Sequence, residues 1–311
     1  MTATADATIT RELALASIRG ARRRRYIATV LTAFGDESHD EHSNRVFAVS
    51  GLIGRQDEWN ELEIAWQKRT GGVIFHAADC ESDQGDFAKF SHTANLKLYA
   101  DLVSILAGTK VLGIAVAIDL AAFTEIFPDA QPDQPYFLCF HDVVYELAGI
   151  AHLHVPQEVA KFTFDRNFDV EYNATYLYDY MTKHKEWDLV EAIHSHITFA
   201  TRAEVGIQAA DLLARETMKQ RDNQIGPVKR NTRRSMTALA NTNRFRFWYH
   251  TWDSLLAMRQ QAADLGSLKG AKMTEYRAWI ERNKVPDSFS TRIKYLMVID
   301  ALNKVPGASG R

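Results

Sequence analysis

The chain has only two cysteines in 311 residues, Cys80 and Cys139. Two thiols cannot build a disulfide framework or a four-thiolate zinc site, and they fit a reducing cytoplasm. Long apolar runs are also missing. Val111 to Ile118, interrupted by Gly113, falls far short of the roughly 20 residues a membrane-spanning helix needs, so no membrane segment is expected. Asp6 and Glu12 precede the basic N-terminal run and no apolar block follows it, so a secretory signal is not expected either. An excess of charge of one sign is lacking too: Lys+Arg 37 stand against Asp+Glu 39, a net charge of -2. Any attraction to phosphate must then come from local patches. No internal repeat and no low-complexity tract of consequence is present.

What is there reads as a globular protein. A hydrophobic fraction of 46% and a charged fraction of 24% suffice for a packed core. The length suits one large α/β domain with an appendage, or two modest domains. Residues 1–25 carry a helical segment, Thr8 to Arg25, ending in a basic run that suits either a solvated face or phosphate contact.

Periodicity predicts alternating strands and helices. YIATVLTAF, Tyr26 to Phe34, is uncharged and β-branched or aromatic, as a strand buried on both faces requires. Further strands are expected at Phe47 to Ile53, Val73 to His76, Lys110 to Ile118, Val159 to Phe164 and Ile193 to Phe199. Helices are expected at Glu58 to Lys68, Asn95 to Leu106, Tyr136 to His152 and Val205 to Lys219. The alternation points to a layered α/β domain over residues 26–220. Residues 221–311 read as a basic connector broken by Gly226-Pro227, with helices at Thr251 to Asn283 and Thr291 to Asn303.

Two of the apolar strands run into acids, Asp36 and Asp165, where open α/β sheets place ligand-contacting residues. A third acid, Asp211, lies in VGIQAADLLARE. There Ile207, Ala210, Leu213 and Ala214 form an apolar face, while Glu204, Gln208, Asp211 and Arg215 form a narrow polar stripe. An aspartate at a strand end also serves as a turn former or cap. Three carboxylates meeting at one point, however, would repel one another unless divalent cations neutralised them, and oxygen donors favour Mg²⁺ or Mn²⁺. Such a site suits phosphoryl transfer.

The segments Phe34-Gly35-Asp36-Glu37-Ser38, Phe75-His76-Ala77, Phe164-Asp165-Arg166 and Gly206-Ile207-Gln208-Ala209-Ala210-Asp211-Leu212-Leu213 resemble the bacterial domain-of-unknown-function family numbered 3800, over roughly Ala28 to Gln220. That family is grouped with ribonuclease H-like folds. The resemblance implies a ribonuclease H-like mixed sheet flanked by helices, with a helical C-terminal extension. It implies Asp36, Asp165 and Asp211 as metal ligands, with Glu37 assisting. His39, where a glycine commonly stands, and Ala200-Thr201, in place of an aspartate-serine pair, depart from the pattern.

The expected activity is hydrolysis of DNA or RNA with two Mg²⁺ or Mn²⁺ ions about 4 Å apart. The alternatives are a catalytically inactive nucleic-acid- or protein-binding module of the same fold, and a hydrolase of small phosphorylated molecules. His76, Asp79 and Glu81 are candidates for a further ligand or general base, or for a capped turn. His39, Asp40, Glu41 and His42 read as a solvated loop. Arg166 suits a scissile phosphate or a carboxylate partner. Lys229, Arg230, Arg233 and Arg234, followed by Arg244, Arg246, Phe247, Trp248 and Tyr249, suit single-stranded nucleic acid or a connector leading to core aromatics.

Overall fold

The structure, a computed structural model, describes residues 31–40, 44–154, 159–168, 170–183, 190–266 and 271–283. The expected helix at Thr8 to Arg25, the start of the first strand, and the helix at Thr291 to Asn303 lie outside these residues. So do Glu41 and His42.

Six strands form one mixed sheet: β1 (Leu31–His39), β2 (Val46–Gly54), β3 (Leu112–Asp119), β4 (Ala160–Asp165), β5 (Thr198–Ala200) and β6 (Phe245–His250). Their spatial order is β5-β4-β1-β2-β3-β6. The first three make an antiparallel meander, β4 lies parallel to β1, β5 parallel to β4, and β6 parallel to β3. The helices are α1 (Gln56–Thr70), α2 (Ala77–Ser82), α3 (His92–Gly108), α4 (Leu120–Ile126), α5 (Gln134–His154), α6 (Glu171–Lys183), α7 (Val205–Ile225), α8 (Arg234–Ala240), α9 (Trp252–Gly266) and α10 (Ala271–Asn283).

Each face of the sheet has its own core, which is why β1 to β3 are apolar on both sides. On one face Phe140, Val144 and Leu147 of α5 pack with Leu31, Ala33, Phe162 and Phe164. On the other, Trp66 of α1, Leu102 of α3 and Leu212 of α7 pack with Leu52 and Ala115, and Phe34 joins them. Fully burying one such side chain contributes about 2 kcal/mol. Strand side chains alternate between faces, so Asp36 shares the α7 face with Phe34. Asp165, one residue past the inward Phe164, shares that same face.

Two glycines set the spacing of these layers. A Cβ on Gly206 would lie 2.2 Å from the Phe34 ring, and one on Gly35 would lie 2.3 Å from the Phe164 ring. Their absence lets the first turn of α7 settle on β1 and lets Phe164 lie across the strand. The Ser50 hydroxyl of β2 donates to the Ala210 carbonyl at 2.7 Å, fixing the helix over the sheet.

Several sequence expectations are corrected. Val73 to His76 is not a strand: the Phe75 amide donates to the Gln208 side chain at 3.1 Å instead of to a neighbouring strand. Ile193 to Phe199 yields only the first two residues of the three-residue β5 and an isolated bridge from Ile193 to Ala160. β1 does not stop before Asp36 but carries it on to His39, with Asp36 opposite Ser50. Residues 221–311, expected as a connector and a helical extension, supply β6 to the main sheet. α7 itself runs past residue 220 to Ile225.

Candidate functional site

Register brings the first two acids side by side. The last β1–β4 pair is Gly35 with Phe164, so Asp36 and Asp165 are the next residues on adjacent parallel strands. α7 crosses above them and lowers Asp211 onto the same spot. The three aspartates expose only 0%, 9% and 2% of their surface. Glu37 follows Asp36, and its Oε1 accepts from Asn167 Nδ2 at 2.8 Å.

Four carboxylates confined in this way oppose one another's ionisation. The Asp36 carboxyl is pushed well above its ordinary value, first by burial and then by Asp211, Glu37 and Asp165, with Arg202 pulling the other way. Glu37 is raised by burial against the Asn167 hydrogen bond. Asp165 is raised by burial against Arg202, and Asp211 by burial against His76 and the Ala77 amide.

Among the described residues, one guanidinium stands amid the acids. Arg202 Nε lies 3.2 Å from Asp165 Oδ2 and 3.8 Å from Asp36 Oδ2. Burial disfavours its charge, but Asp36, Asp211, Asp165 and Glu37 outweigh that and raise its pKa. The contact is one of charge rather than of directed bonds, for neither Arg202 Nε nor Asp36 Oδ2 has a hydrogen-bond partner. Among the described residues, no three His, Cys, Asp or Glu side chains stand together as a group able to hold a metal ion. The orphaned Asp36 oxygen and the excess of carboxylates over guanidinium nevertheless form a donor set of the kind hard cations take.

Gln208 organises the surroundings. Its Oε1 accepts from Trp66 Nε1 at 2.9 Å and from the Phe75 amide at 3.1 Å, and its Nε2 donates to the Arg202 carbonyl at 2.8 Å. Asp211 Oδ2 accepts from the Ala77 amide at 2.7 Å. His76 is thereby fixed from both sides. Its Nδ1 lies 2.9 Å from Asp79 Oδ2, and its ring lines a cavity of about 630 Å³ together with Glu37, Asn167, Arg202 and Asp211.

The remaining candidates separate. Glu81 does not join the acids: its carboxylate pairs with Arg215 at 2.8 Å and Arg233 at 2.5 Å. Asp40 is no solvated loop residue, since its buried Oδ1 accepts from the amides of Asn44, Arg45 and Val46 and closes the β1–β2 turn. Arg166 Nε lies 3.8 Å from Glu171 and its guanidinium faces Phe168. The basic connector is dispersed: Arg233 faces Glu81 and Glu216, Arg246 faces Glu146, and Phe245 enters the core while Trp248 stays exposed. Sequence reasoning missed Arg202 and Lys219, which both line the cavity. The available signal was an arginine between a strand and the acid-bearing helix, and a cation eight residues after Asp211.

By its fold this is an α/β protein built, among the described residues, on a mixed six-stranded sheet, with an acid cluster beneath the sheet-packed helix α7. Comparison with protein-family models, with curated proteins and with solved structures found no match.

Proposed function

We propose that this protein is a metal-dependent phosphodiesterase of ribonuclease H-like type that cleaves nucleic acid, using Mg²⁺ or Mn²⁺. One observation carries the reading: among the described residues Asp36, Glu37, Asp165 and Asp211 cluster about one guanidinium, Arg202, with Glu37, Asp211 and Arg202 lining a cavity, and Asp36 Oδ2 lacks a hydrogen-bond partner. Asp36, Asp165 and Asp211 would hold the metal, with Glu37 beside them. The metal when bound supplies a water that ionises near neutral pH, and positive charge for the phosphoryl oxygens.

The chain's own groups have distinct tasks in this scheme. With His76 Nδ1 turned to Asp79, Nε2 is the nitrogen left to take or give a proton. Asn167 holds Glu37 in place. Arg202, tethered through its carbonyl to Gln208 while its side chain lines the cavity, can leave the acids for a phosphate oxygen without moving its backbone.

The test is cleavage of single-stranded DNA and RNA by the purified protein with Mn²⁺ or Mg²⁺, beside an Asp36→Asn, Asp211→Asn double variant. Metal-dependent cleavage lost in the variant supports the reading; no cleavage, or equal cleavage by the variant, overturns it.

A second reading, a binding module without catalysis, is favoured by Arg202, which already gives the acids a cation. Mn²⁺ titration followed by electron paramagnetic resonance separates the two. The phosphodiesterase expects Mn²⁺ to bind, and to bind more tightly in Arg202→Gln, whereas an inert module binds none in either form.

A further inference from the structure

The cavity has a second end. α7 lines it with Asp211, Arg215 and Lys219, at intervals of four residues and therefore on one helix face. The eight residues from Asp211 to Lys219 span about 12 Å of helix axis. The wall thus runs from the acid cluster to a basic pair.

The two basic residues differ in what holds them. Arg215 is occupied, its Nε donating to Glu81 Oε2 at 2.8 Å. Nearby, Arg221 lies 3.6 Å from Asp119, and Arg45 lies 2.8 Å from Asp222. Lys219 has no carboxylate within ion-pair distance and no hydrogen-bond acceptor among the described residues, although it is half-buried. Burial, then Arg215 and Arg233, work against its charge and together outweigh Glu81, which also lines the cavity, and Asp222. Arg215 and Arg233 are matched by Glu81 and Glu216, so the ammonium of Lys219, partly drawn out of water and facing the cavity, is the charge an arriving anion would complete.

We infer that Lys219, with Arg215 behind it, is a phosphate subsite about 12 Å along α7 from the acid cluster, so that the substrate is a polyanionic strand and not a lone phosphodiester. This rests on the proposed phosphodiesterase reading and deepens it. At roughly 3.4 Å of axis per phosphate in a helical strand, 12 Å spans three or four phosphates, and fewer in a drawn-out single strand. A dinucleotide with one phosphodiester that occupies the acid cluster cannot also reach Lys219.

The test is fluorescence anisotropy with labelled thymidine di- and octanucleotides, on wild type, Lys219→Met and Lys219→Arg, in Ca²⁺ to suppress cleavage. Lys219→Met is expected to weaken octamer binding about tenfold, the scale of one hydrogen bond to a charged group. It should lower the salt slope by about 1 and leave dinucleotide binding as in wild type, and Lys219→Arg should restore the octamer. Equal octamer binding by wild type and Lys219→Met overturns the subsite, as does an equal loss for both ligands. Cleavage in Mn²⁺ is read separately. An octamer bound through Lys219 but never cut retains the subsite and overturns the phosphodiesterase.

Discussion

Two groups of buried charge sit along the same helix and are balanced in opposite ways. At the N-terminal part of α7, four carboxylates face Arg202, and Asp36, Glu37, Asp165 and Asp211 are all raised above their ordinary values. One turn on, Glu81 and Glu216 face Arg215 and Arg233, and Glu216 also accepts from Tyr99 Oη at 2.7 Å, through the oxygen that faces Arg233, and from Ser235 Oγ at 2.6 Å through the other. There Glu81 sits below its ordinary value: burial works against its charge, but Arg233 and Arg215 more than offset it. The second group is matched charge for charge and joins α2, α3, α7 and α8 as part of the fold. Among the described residues the first is short of positive charge, which is the condition for a ligand to complete it.

The largest effect should come from neutralising the unmatched group. Asp36→Asn or Asp211→Asn is expected to lower metal-dependent cleavage on the order of a thousandfold, as loss of a principal charge-stabilising group does. Asp36→Asn should also raise the melting temperature of the metal-free protein, because a buried charge is removed. Steady-state rates and thermal melts on the same preparations check both.

The matched group should respond the other way. Arg233→Ala leaves Glu216, which exposes none of its surface, with less positive charge and should cost about 3 kcal/mol in urea unfolding. Gln208→Ala, which strips acceptors from Trp66 and Phe75, should cost about 2 kcal/mol and also loosen His76 and Arg202. A Gln208→Ala protein as stable as wild type would remove that residue from its organising role.

pH gives the smallest contrast, and its sign differs between the groups. A raised carboxylate contributes stability that is fully present below its unfolded value, 3.8 for Asp36, and is lost as pH rises through the folded value. Lowered Glu81 contributes stability that is present above 4.5 and lost as pH falls through its folded value. In metal-free protein the gain from Asp36→Asn should therefore grow as pH rises above 3.8. The cost of Glu81→Gln should shrink on acidification below 4.5. Unfolding of the variants against wild type at several pH values reads the difference directly, and an Asp36→Asn gain independent of pH would break the comparison.

Much of this was legible in the chain. Apolar runs rich in β-branched and aromatic residues located β1, β3 and β4, and the acids following two of them, with the aspartate of VGIQAADLL, identified the residues the fold assembles. Of the expected polar stripe Glu204, Gln208, Asp211 and Arg215, the last three lie on α7, with Gln208 and Asp211 buried, while Glu204 precedes the helix and is exposed. A helix covered by β1 and β2 on one side and by α1, α2 and α8 on the others has no solvent face over residues 205–214. FRFWYH mixes charge with aromatics because β6 lies at the sheet edge, where one side stays wet, so its pattern did not declare a strand. Val73 to His76 has strand composition, yet a glutamine more than 130 residues away takes the Phe75 amide.

By itself the sequence determined most of the strands and helices, the apolar character of both sheet faces and the identity of the acids, because periodicity and burial preference act among residues a few positions apart. Only the tertiary structure decided that Asp36 and Asp165 lie abreast, that Arg202 enters between them, and that Glu81 belongs to a different group of charges from Asp211. Those outcomes depend on strand register and on how closely α7 docks, which Gly206, Ser50 and Gln208 set through contacts 142 to 172 residues apart in the chain. Charge balance at a buried point is a sum over everything folded around it, and no local stretch of chain contains that sum.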